Sequence, residues 1–159
     1  GKYIKQDIDK AIYYFSLAAN KSYPKAQFFL GKIYFEGKFI KKNIDKAIHY
    51  FQLATNNNDP EAQYILSTIL VSGIYIKRDI NKAINYLVLS ANQNFPESLF
   101  TLGYLYFNGL YLYKDLNKAN YYLYLAAEKK YNEARFLLGV FYSNYKKDIK
   151  FIIINMRHH

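Results

Sequence analysis

Residues 4–39 read IKQDIDKAIYYFSLAANKSYPKAQFFLGKIYFEGKF, and this pattern returns three more times along the chain. The later copies read IKKNIDKAIHYFQLATNNNDPEAQYILSTILVSGIY (40–75), IKRDINKAINYLVLSANQNFPESLFTLGYLYFNGLY (76–111) and LYKDLNKANYYLYLAAEKKYNEARFLLGVFYSNYKK (112–147). The copies begin at positions 4, 40, 76 and 112, so the period is 36 residues with no insertion. A fixed period of this size is typical of a solenoid, in which each unit buries its apolar face against its neighbours.

Each copy contains the start and stop signals of two helices. The first helix is expected to follow a capping Asp or Asn and to run for about 13 residues. These capping positions are Asp7, Asn43, Asp79 and Asp115. The second helix is expected to begin at a proline and to end at a glycine that accepts the left-handed conformation. These pairs are Pro24 with Gly37, Pro60 with Gly73, and Pro96 with Gly109. The sequence therefore predicts an all-α fold, a right-handed α-solenoid of helix-turn-helix repeats.

The repeat register also predicts what lies at the two ends of the chain. Residues 1–3 align with the end of a preceding repeat, because residues 1–4 (GKYI) match residues 37–40 (GKFI). After residue 147 the register fails, and the expected capping acid comes early, at Asp148. We interpret residues 148–159 as a degenerate C-terminal capping helix or tail. Repeat ends without a polar cap expose apolar surface, so self-association through the repeat ends is expected.

The recurring residues resemble a known repeat family. The pattern is Asp-x-x-Lys-Ala-x-x-Tyr-x-x-x-Ala-Ala, followed by Pro-x-Ala-x-x-x-Leu-Gly-x-x-Tyr-x-x-Gly. The first copy carries it at Asp7, Lys10, Ala11, Tyr14, Ala18, Ala19, Pro24, Ala26, Leu30, Gly31, Tyr34 and Gly37. It is similar to the Sel-one-like repeat, a relative of the tetratricopeptide (TPR) repeat, although the second copy departs at Ser67 and Leu70 and the fourth at Asn132 and Tyr145. The resemblance implies a TPR-like solenoid of the kind that supplies adaptor and scaffold segments.

The composition excludes several classes of protein. Hydrophobic residues make up 52% of the 159 residues and charged residues 21%, which is typical of a folded globular chain. The absence of cysteine excludes disulfides, thiolate metal ligands and cysteine nucleophiles. No apolar run in the sequence is long enough to span a bilayer. The compartment stays unknown, with the cytoplasm favoured because cysteines are missing.

Catalytic and metal-binding patterns are missing from the sequence. It contains no phosphate-binding glycine loop, no His-Glu-x-x-His and no kinase motif, so we predict no catalytic, cofactor-binding or metal-binding residues in this chain. His49 has Tyr13, Asn85 and Tyr121 as its equivalents in the other copies and is interpreted as a surface variant. The terminal pair His158 and His159 is interpreted as a frayed tail or tag remnant.

The candidate site for a partner lies on the first helices, and we call it the partner stripe. On a helical wheel, positions 9, 13 and 16 of the first copy fall between two apolar flanks, and several of their equivalents vary freely. The stripe consists of Asp9, Tyr13, Ser16, Asp45, His49, Gln52, Asn81, Asn85, Val88, Asn117, Tyr121 and Tyr124. The resemblance to TPR solenoids implies that it lines the concave groove. Its amides can bind an extended peptide backbone, and its tyrosines are of the type enriched at binding hot spots.

A second candidate surface recurs where one repeat joins the next. The basic residues there, which we call the basic edge, are Lys5, Lys41, Lys42, Lys77, Arg78 and Lys114. With the net charge of +10, this edge could bind an acidic peptide, a phosphate backbone or a membrane surface. It could equally be an ordinary solvated edge.

Two leading interpretations of function follow. The first is a non-catalytic scaffold or adaptor that binds a protein or peptide in the concave groove. The alternative is the repeat segment of a larger protein, either a signalling protein linked to a protein-kinase domain, as in protist arrays that the sequence resembles, or an adaptor of ER-associated degradation. A third interpretation, binding of nucleic acid or an acidic surface by the basic edge, is less favoured for nucleic acid.

Overall fold

The computed structural model describes the backbone of residues 2–143 and the side chains of residues 7–143. All regular elements in this part of the chain are helices. They are α1 (Lys2–Asn20), α2 (Pro24–Glu36), α3 (Ile44–Asn56), α4 (Pro60–Ser72), α5 (Ile80–Asn92), α6 (Pro96–Asn108), α7 (Leu116–Glu128) and α8, described over residues 132–143. Successive helix pairs form the predicted helical solenoid. The predicted capping segment 148–159, which includes the two terminal histidines, lies outside the described residues, as do the last residues of the fourth copy and Tyr145.

The helices begin at the residues that the repeat pattern indicates, with one exception. The Oδ1 atom of Asn43 accepts from the backbone N–H of Lys46 at 3.0 Å, and Asp79 and Asp115 cap α5 and α7 in the same way. The second helices α2, α4 and α6 begin at proline, as predicted. Asp59 adds a side-chain cap to α4, because its Oδ1 accepts from the N–H of Ala62 at 2.9 Å. Side-chain caps of this kind contribute about 1 kcal/mol each.

The exception is Asp7, which does not begin α1. That helix starts at Lys2, so Asp7 lies inside it and the predicted start is wrong. In the later copies the capping residue also donates its own backbone N–H to the second helix of the repeat before, as Asn43 does to the carbonyl of Tyr34 at 3.0 Å. No described helix precedes Asp7 to accept such a bond. Helical hydrogen bonding then satisfies the backbone of residues 2–6, and the helix extends.

Left-handed backbone recurs at two positions of the repeat, the end of the second helix and the turn between the two helices. Gly37, Gly73 and Gly109 end the second helices with φ values of 64°, 66° and 69°, as predicted. The short turn inside each repeat holds a second such position, which the sequence analysis did not identify. Its residues are Ser22, Asn58, Asn94 and Lys130, with φ between 58° and 67°. Only asparagine among these adopts positive φ readily, so the remaining copies accept some backbone strain to keep the turn.

The chain divides into two compact units, residues 1–93 and 94–159. The first unit contains α1–α5, and its core includes Leu30, Phe51 and Leu66. In the second unit α6 packs on α7, and Leu102 and Leu123 are fully buried there. Within each unit the second helix of one repeat packs on the first helix of the next, as in α2 on α3, α4 on α5 and α6 on α7.

A small residue on one helix facing a large one on the next allows this close packing. A Cβ atom added to Gly31 would lie 2.6 Å from Cδ1 of Phe51, so α2 can approach α3 only because position 31 has no side chain. The second unit repeats the arrangement, since a Cβ on Gly103 would lie 2.7 Å from Cγ of Leu123. We call this pairing of a glycine with an apolar side chain the glycine contact.

Stacked tyrosines accompany each glycine contact. Tyr34 of α2 stacks on Tyr50 of α3 with centroids 5.8 Å apart and an interplanar angle of 3°. Tyr106 and Tyr122 form the same pair in the second unit, at 5.9 Å and 1°. Burial, followed by the neighbouring phenols of Tyr106 and Tyr121, raises the pKa of Tyr122 above its usual 10.0. This is the direction expected when burial disfavours the charged phenolate.

An ion-pair cluster joins the first two repeats. The ammonium group of Lys25 lies 3.1 Å from Oδ2 of Asp59 and 2.7 Å from Oε1 of Glu61. Burial alone would lower the pKa of Lys25, but hydrogen bonds to Glu61 and Asp59 and the charges of both carboxylates outweigh it and raise the pKa above 10.5. Lys25 therefore stays protonated in the neutral range, and its two ion pairs join the start of α2 to the start of α4.

Candidate functional site

The partner stripe is largely exposed in the structure. In the first unit its positions lie on α1, α3 and α5, and in the second unit they lie on α7. Ser16 and Val88 are half-buried, and the other ten residues of the stripe are exposed. The hydroxyl of Ser16 donates to the backbone carbonyl of Ile12 at 2.7 Å, so it is already occupied within α1. The wheel position next to the stripe is also exposed in every copy, at Asn20, Asn56, Asn92 and Glu128.

Three aromatic rings of the stripe contact a tyrosine that recurs at the next position of every copy. We call these recurring residues, Tyr14, Tyr50, Tyr86 and Tyr122, the tyrosine column. Tyr13 contacts Tyr14 edge-on at 5.4 Å between centroids, His49 contacts Tyr50 at 5.5 Å, and Tyr121 contacts Tyr122 at 5.3 Å. Tyr13 and Tyr121 are nevertheless 60% and 58% exposed. These rings are thus held at one edge while most of their surface stays open. A partner that covers them loses less side-chain entropy than it would on binding freely rotating tyrosines.

The described cations of the basic edge are all exposed, and they differ in what they contact. They are Lys41, Lys42, Lys77, Arg78 and Lys114. Lys42 lies over two rings, with its Nζ atom 5.4 Å from the centroid of Phe35 and 5.6 Å from that of Tyr75. Its Cβ atom would lie 2.5 Å from a Cβ built on Gly37, and Arg78 and Lys114 cover the equivalent glycines. Each of these three cations therefore packs over the end of the preceding helix. The side chain of Lys5 lies outside the described residues.

The linkers also carry exposed apolar side chains that the sequence analysis missed. Ile74 is 74% exposed and Tyr113 98%, and Phe39, Tyr75, Leu110 and Tyr111 are also exposed. The available signal was the apolar character of the linker after each glycine, in Lys-Phe-Ile, Ile-Tyr-Ile and Leu-Tyr-Leu. Each linker thus presents both cations and apolar side chains to solvent.

The described residues were also compared with the requirements of a metal site and of a membrane-spanning helix. Within the described side chains, no three histidine, aspartate or glutamate groups converge as a metal site would require. None of the described helices combines the length and the apolar character needed to cross a bilayer.

Comparison with known families identifies the repeat. The family model of the Sel1 repeat matches residues 1–23, 24–59, 60–95 and 96–131. The chain belongs to the Sel1 repeat family. The family model begins its complete units at Pro24, Pro60 and Pro96, whereas the units in our sequence analysis begin at residue 4 and every 36 residues after it. Both descriptions have the same period and differ only in where the unit is cut.

Solved Sel1 structures resemble this chain closely. A Sel1 repeat protein from Oxalobacter formigenes superposes with a TM-score of 0.75 at 25% identity, over 80% of this chain and 96% of that one. The protein c5321, a protective antigen of uropathogenic Escherichia coli with an SLR fold, gives 0.76 at 26% identity over 82% of this chain, which spans only 28% of that antigen. Cysteine-rich protein B of Helicobacter pylori shares the fold, with a TM-score of 0.65 at 23% identity over 84% of this chain and 96% of that one. Among curated proteins, no significant match is found.

Membership of the family establishes a general role. Sel1 repeat solenoids are generally protein-interaction scaffolds, and the fold is typically non-catalytic. The links to a protein-kinase domain and to ER-associated degradation concern residues outside this chain and stay predictions.

Proposed function

We propose that this Sel1 repeat chain is a non-catalytic scaffold that binds an extended peptide segment of a partner protein along the partner stripe. The observation that carries the proposal is the contrast between the stripe and the column beside it. The rings of Tyr13, His49 and Tyr121 are exposed beside the tyrosine column, which is the same in all four copies, whereas the stripe residue beside it changes from copy to copy. A surface that varies on a constant framework can present a different side chain in each repeat.

The chemistry of the stripe suits a peptide better than a small molecule. Asn81, Asn85 and Asn117 offer exposed amides that can both donate to and accept from an extended backbone. Tyr121 and Tyr124 lie three residues apart on one face of α7, where side chains at this spacing are neighbours. Together they provide aromatic anchors with few rotatable bonds, as recognition surfaces commonly do.

A random peptide display library, selected on the full chain, tests the proposal. We expect the selected peptides to bind the unmodified chain and to lose about tenfold or more in affinity on the double change Tyr121→Ala and Tyr124→Ala. Tyr113→Ala serves as the matched control, because it removes an exposed tyrosine from a linker and should leave affinity unchanged. Equal binding to the stripe variant, with unchanged helicity, would refute the stripe as the site.

The exposed linkers favour a second candidate function, the binding of an acidic surface. Lys41 shares its linker with Phe39, and Lys77 shares the next linker with Ile74, so both linkers carry an exposed cation and an exposed apolar side chain. In the same selection this function predicts acidic peptides whose binding falls with added salt and is lost on Lys41→Ser with Lys77→Ser. Binding of that type would place the partner on the basic edge.

A further inference from the structure

Each linker between repeats closes on itself, so its middle residues project from the helices. The linkers are residues 37–42, 73–78 and 109–114. In the second linker a Cβ built on Gly73, the first residue, would lie 3.0 Å from the Cβ of Arg78, the last one. The backbone N–H of Asp79 then returns to the helix just ended and donates to the carbonyl of Leu70 at 3.3 Å. The other two linkers close in the same way, so the four residues between the ends of each linker form a small protruding loop.

Three of the four loop residues are exposed in every linker, and we call these three the linker tip. The remaining residue is half-buried each time, at Ile40, Ile76 and Leu112. The tips are Lys38, Phe39 and Lys41 in the first linker, Ile74, Tyr75 and Lys77 in the second, and Leu110, Tyr111 and Tyr113 in the third. Ile74 is 74% exposed, although isoleucine is among the residue types most often buried. Each tip thus presents apolar side chains to solvent, and the first two tips also present lysine.

The linkers carry positive charge that no acid within them offsets. None of the three linkers contains aspartate or glutamate, and each contains lysine or arginine. The acids that flank the first two linkers are engaged within helices. Glu36 pairs with Lys32 of α2 at 3.8 Å, and Asp79 accepts from the backbone N–H of Lys82 at the start of α5. The linker tips therefore attract anions.

In the first unit two linkers lie side by side. The Nζ atom of Lys42, the last residue of the first linker, lies 5.6 Å from the ring of Tyr75 on the second tip. Phe35 of α2 contacts the same ring edge-on, at 5.6 Å between centroids, so the second tip is held against the first repeat. The two tips thus form one surface that combines Lys41 and Lys77 with the exposed side chain of Ile74.

We propose that the two linker tips of the first unit bind the surface of a lipid bilayer that contains anionic phospholipids. Lys41 and Lys77 contact the headgroup phosphates, and Ile74 enters the boundary between headgroups and acyl chains, where cationic and apolar groups are both stabilised. The proposal rests on the second candidate function, the binding of an acidic surface, and names that surface.

A bilayer fits this surface better than an acidic peptide does. A protruding aliphatic side chain finds apolar surroundings in a bilayer without a complementary pocket, whereas an acidic peptide would pair with the lysines and leave Ile74 in water. Tyr75 adds a ring with a polar hydroxyl, which is typical of side chains at the level of the headgroups. Because each of these signals is weak by itself, the expected binding is reversible and falls with added salt.

Co-sedimentation of the full chain with vesicles tests the proposal. The vesicles consist of phosphatidylcholine, either alone or with about one third phosphatidylserine. We expect binding to the phosphatidylserine vesicles that weakens as salt is raised, and at least about tenfold weaker binding to phosphatidylcholine alone. Lys41→Ser with Lys77→Ser should weaken binding to the anionic vesicles about tenfold or more, and Ile74→Ser about threefold or more.

Matched controls remove similar groups at the other ends of the helices. Lys21→Ser with Lys129→Ser removes two exposed lysines from the turns inside repeats. A 13-residue helix, about 20 Å long, separates such a turn from a linker, which is more than the Debye length of about 8 Å at physiological ionic strength. Tyr23→Ser removes an exposed aromatic side chain from the same kind of turn. Both controls should change vesicle binding less than about twofold, and all variants should keep the helicity of the unmodified chain.

Three results would overturn the proposal. Equal binding to vesicles with and without phosphatidylserine, or binding to neither, would exclude the anionic bilayer. Equal losses in the tip variants and the controls would show attraction by net charge alone. Undiminished binding of Ile74→Ser would show that the tip stays outside the bilayer.

The same variants separate this inference from the two candidate functions. Tyr121→Ala with Tyr124→Ala changes the partner stripe and should leave vesicle binding unchanged. Acidic peptides that bind through Lys41 and Lys77, in a chain that binds no vesicles, would overturn the bilayer and support the second candidate function with a peptide as its partner. Vesicle binding in a chain that selects no acidic peptides would support the bilayer.

Discussion

Two equivalent interfaces in the first unit, α2 on α3 and α4 on α5, have different residues at their closest contact. At the first, Gly31 faces Phe51, and at the equivalent positions of the second the residues are Ser67 and Leu87. All four are buried. The larger side chain, Phe51, lies opposite glycine, and the smaller one, Leu87, has serine at the equivalent opposite position. These two interfaces thus have similar summed side-chain volumes, whereas α6 on α7 pairs Gly103 with Leu123 and has less, so leucine occurs with either small residue.

The two interfaces also differ in a ring stack and a hydrogen bond. The first has the stack of Tyr34 on Tyr50, whereas Leu70 at the equivalent position of α4 has no phenol to stack. The second interface has instead a hydrogen bond from the hydroxyl of Ser90 to the carbonyl of Pro60, at 2.7 Å. The two interfaces thus exchange a stack for a serine hydrogen bond, while both keep an amide hydrogen bond, from Asn57 to Gln27 and from Gln93 to Gln63.

The largest expected effect comes from adding side-chain volume at the first interface. Gly31→Ala should lower the free energy of unfolding by about 2–3 kcal/mol, because the new Cβ would lie 2.6 Å from the Phe51 ring and the helices would have to separate. Gly139→Ala is the matched control at the same helix position and should be neutral or stabilise by up to about 1 kcal/mol. The midpoint of urea unfolding measures both. Equal tolerance of the two changes would show that close helix approach is not limiting.

The sequence predicted the fold and most helix ends, but not the features that depend on contacts with other helices. Glycine and proline mark helix ends through their own backbone geometry, so Pro24 and Gly37 were predictable from one residue each. In the later copies the capping residue also donates its backbone N–H to the preceding helix, a contact that Asp7 lacks among the described residues. For the candidate site, the wheel indicated the sector that packing leaves open. It could not show that the Ser16 hydroxyl is occupied or that Lys42 covers two rings, because both depend on three-dimensional contacts.

A smaller effect is expected when the residue types of the first interface, phenylalanine and glycine, are placed at the equivalent positions of the second. Leu87→Phe should destabilise the chain by about 1–2 kcal/mol, because the added ring faces Ser67 where the first interface has glycine. Adding Ser67→Gly should recover part of this loss, although Ser67→Gly alone should cost about half a kcal/mol through helix propensity. The two changes should thus show a favourable coupling of about 1 kcal/mol in a double-mutant cycle measured by urea unfolding. Additive effects would mean that positions 67 and 87 do not share one volume.

The smallest expected effect concerns the lysine that accompanies each interface. Lys46 lies 5.1 Å from the ring of Tyr34 across the first interface, whereas Lys82 lies 5.8 Å from Tyr86, a tyrosine of its own helix. Lys46→Met, which keeps the apolar stem and removes the charge, should therefore cost about 0.5–1 kcal/mol, and Lys82→Met should cost less. The midpoint of urea unfolding again measures both.

Tyr34→Leu decides whether this difference comes from the tyrosine across the interface. The substitution makes the first interface resemble the second, because Lys46 loses the ring of α2 and has only Tyr50, four residues on, at the position that Tyr86 takes relative to Lys82. In this background Lys46→Met should cost no more than Lys82→Met does in the unmodified chain. If Lys46→Met costs the same with and without the Tyr34 ring, the lysine acts through its position on the helix and not through the ring. The cation would then belong to the solvated surface of each repeat, and stability at these interfaces would depend on volume and stacking alone.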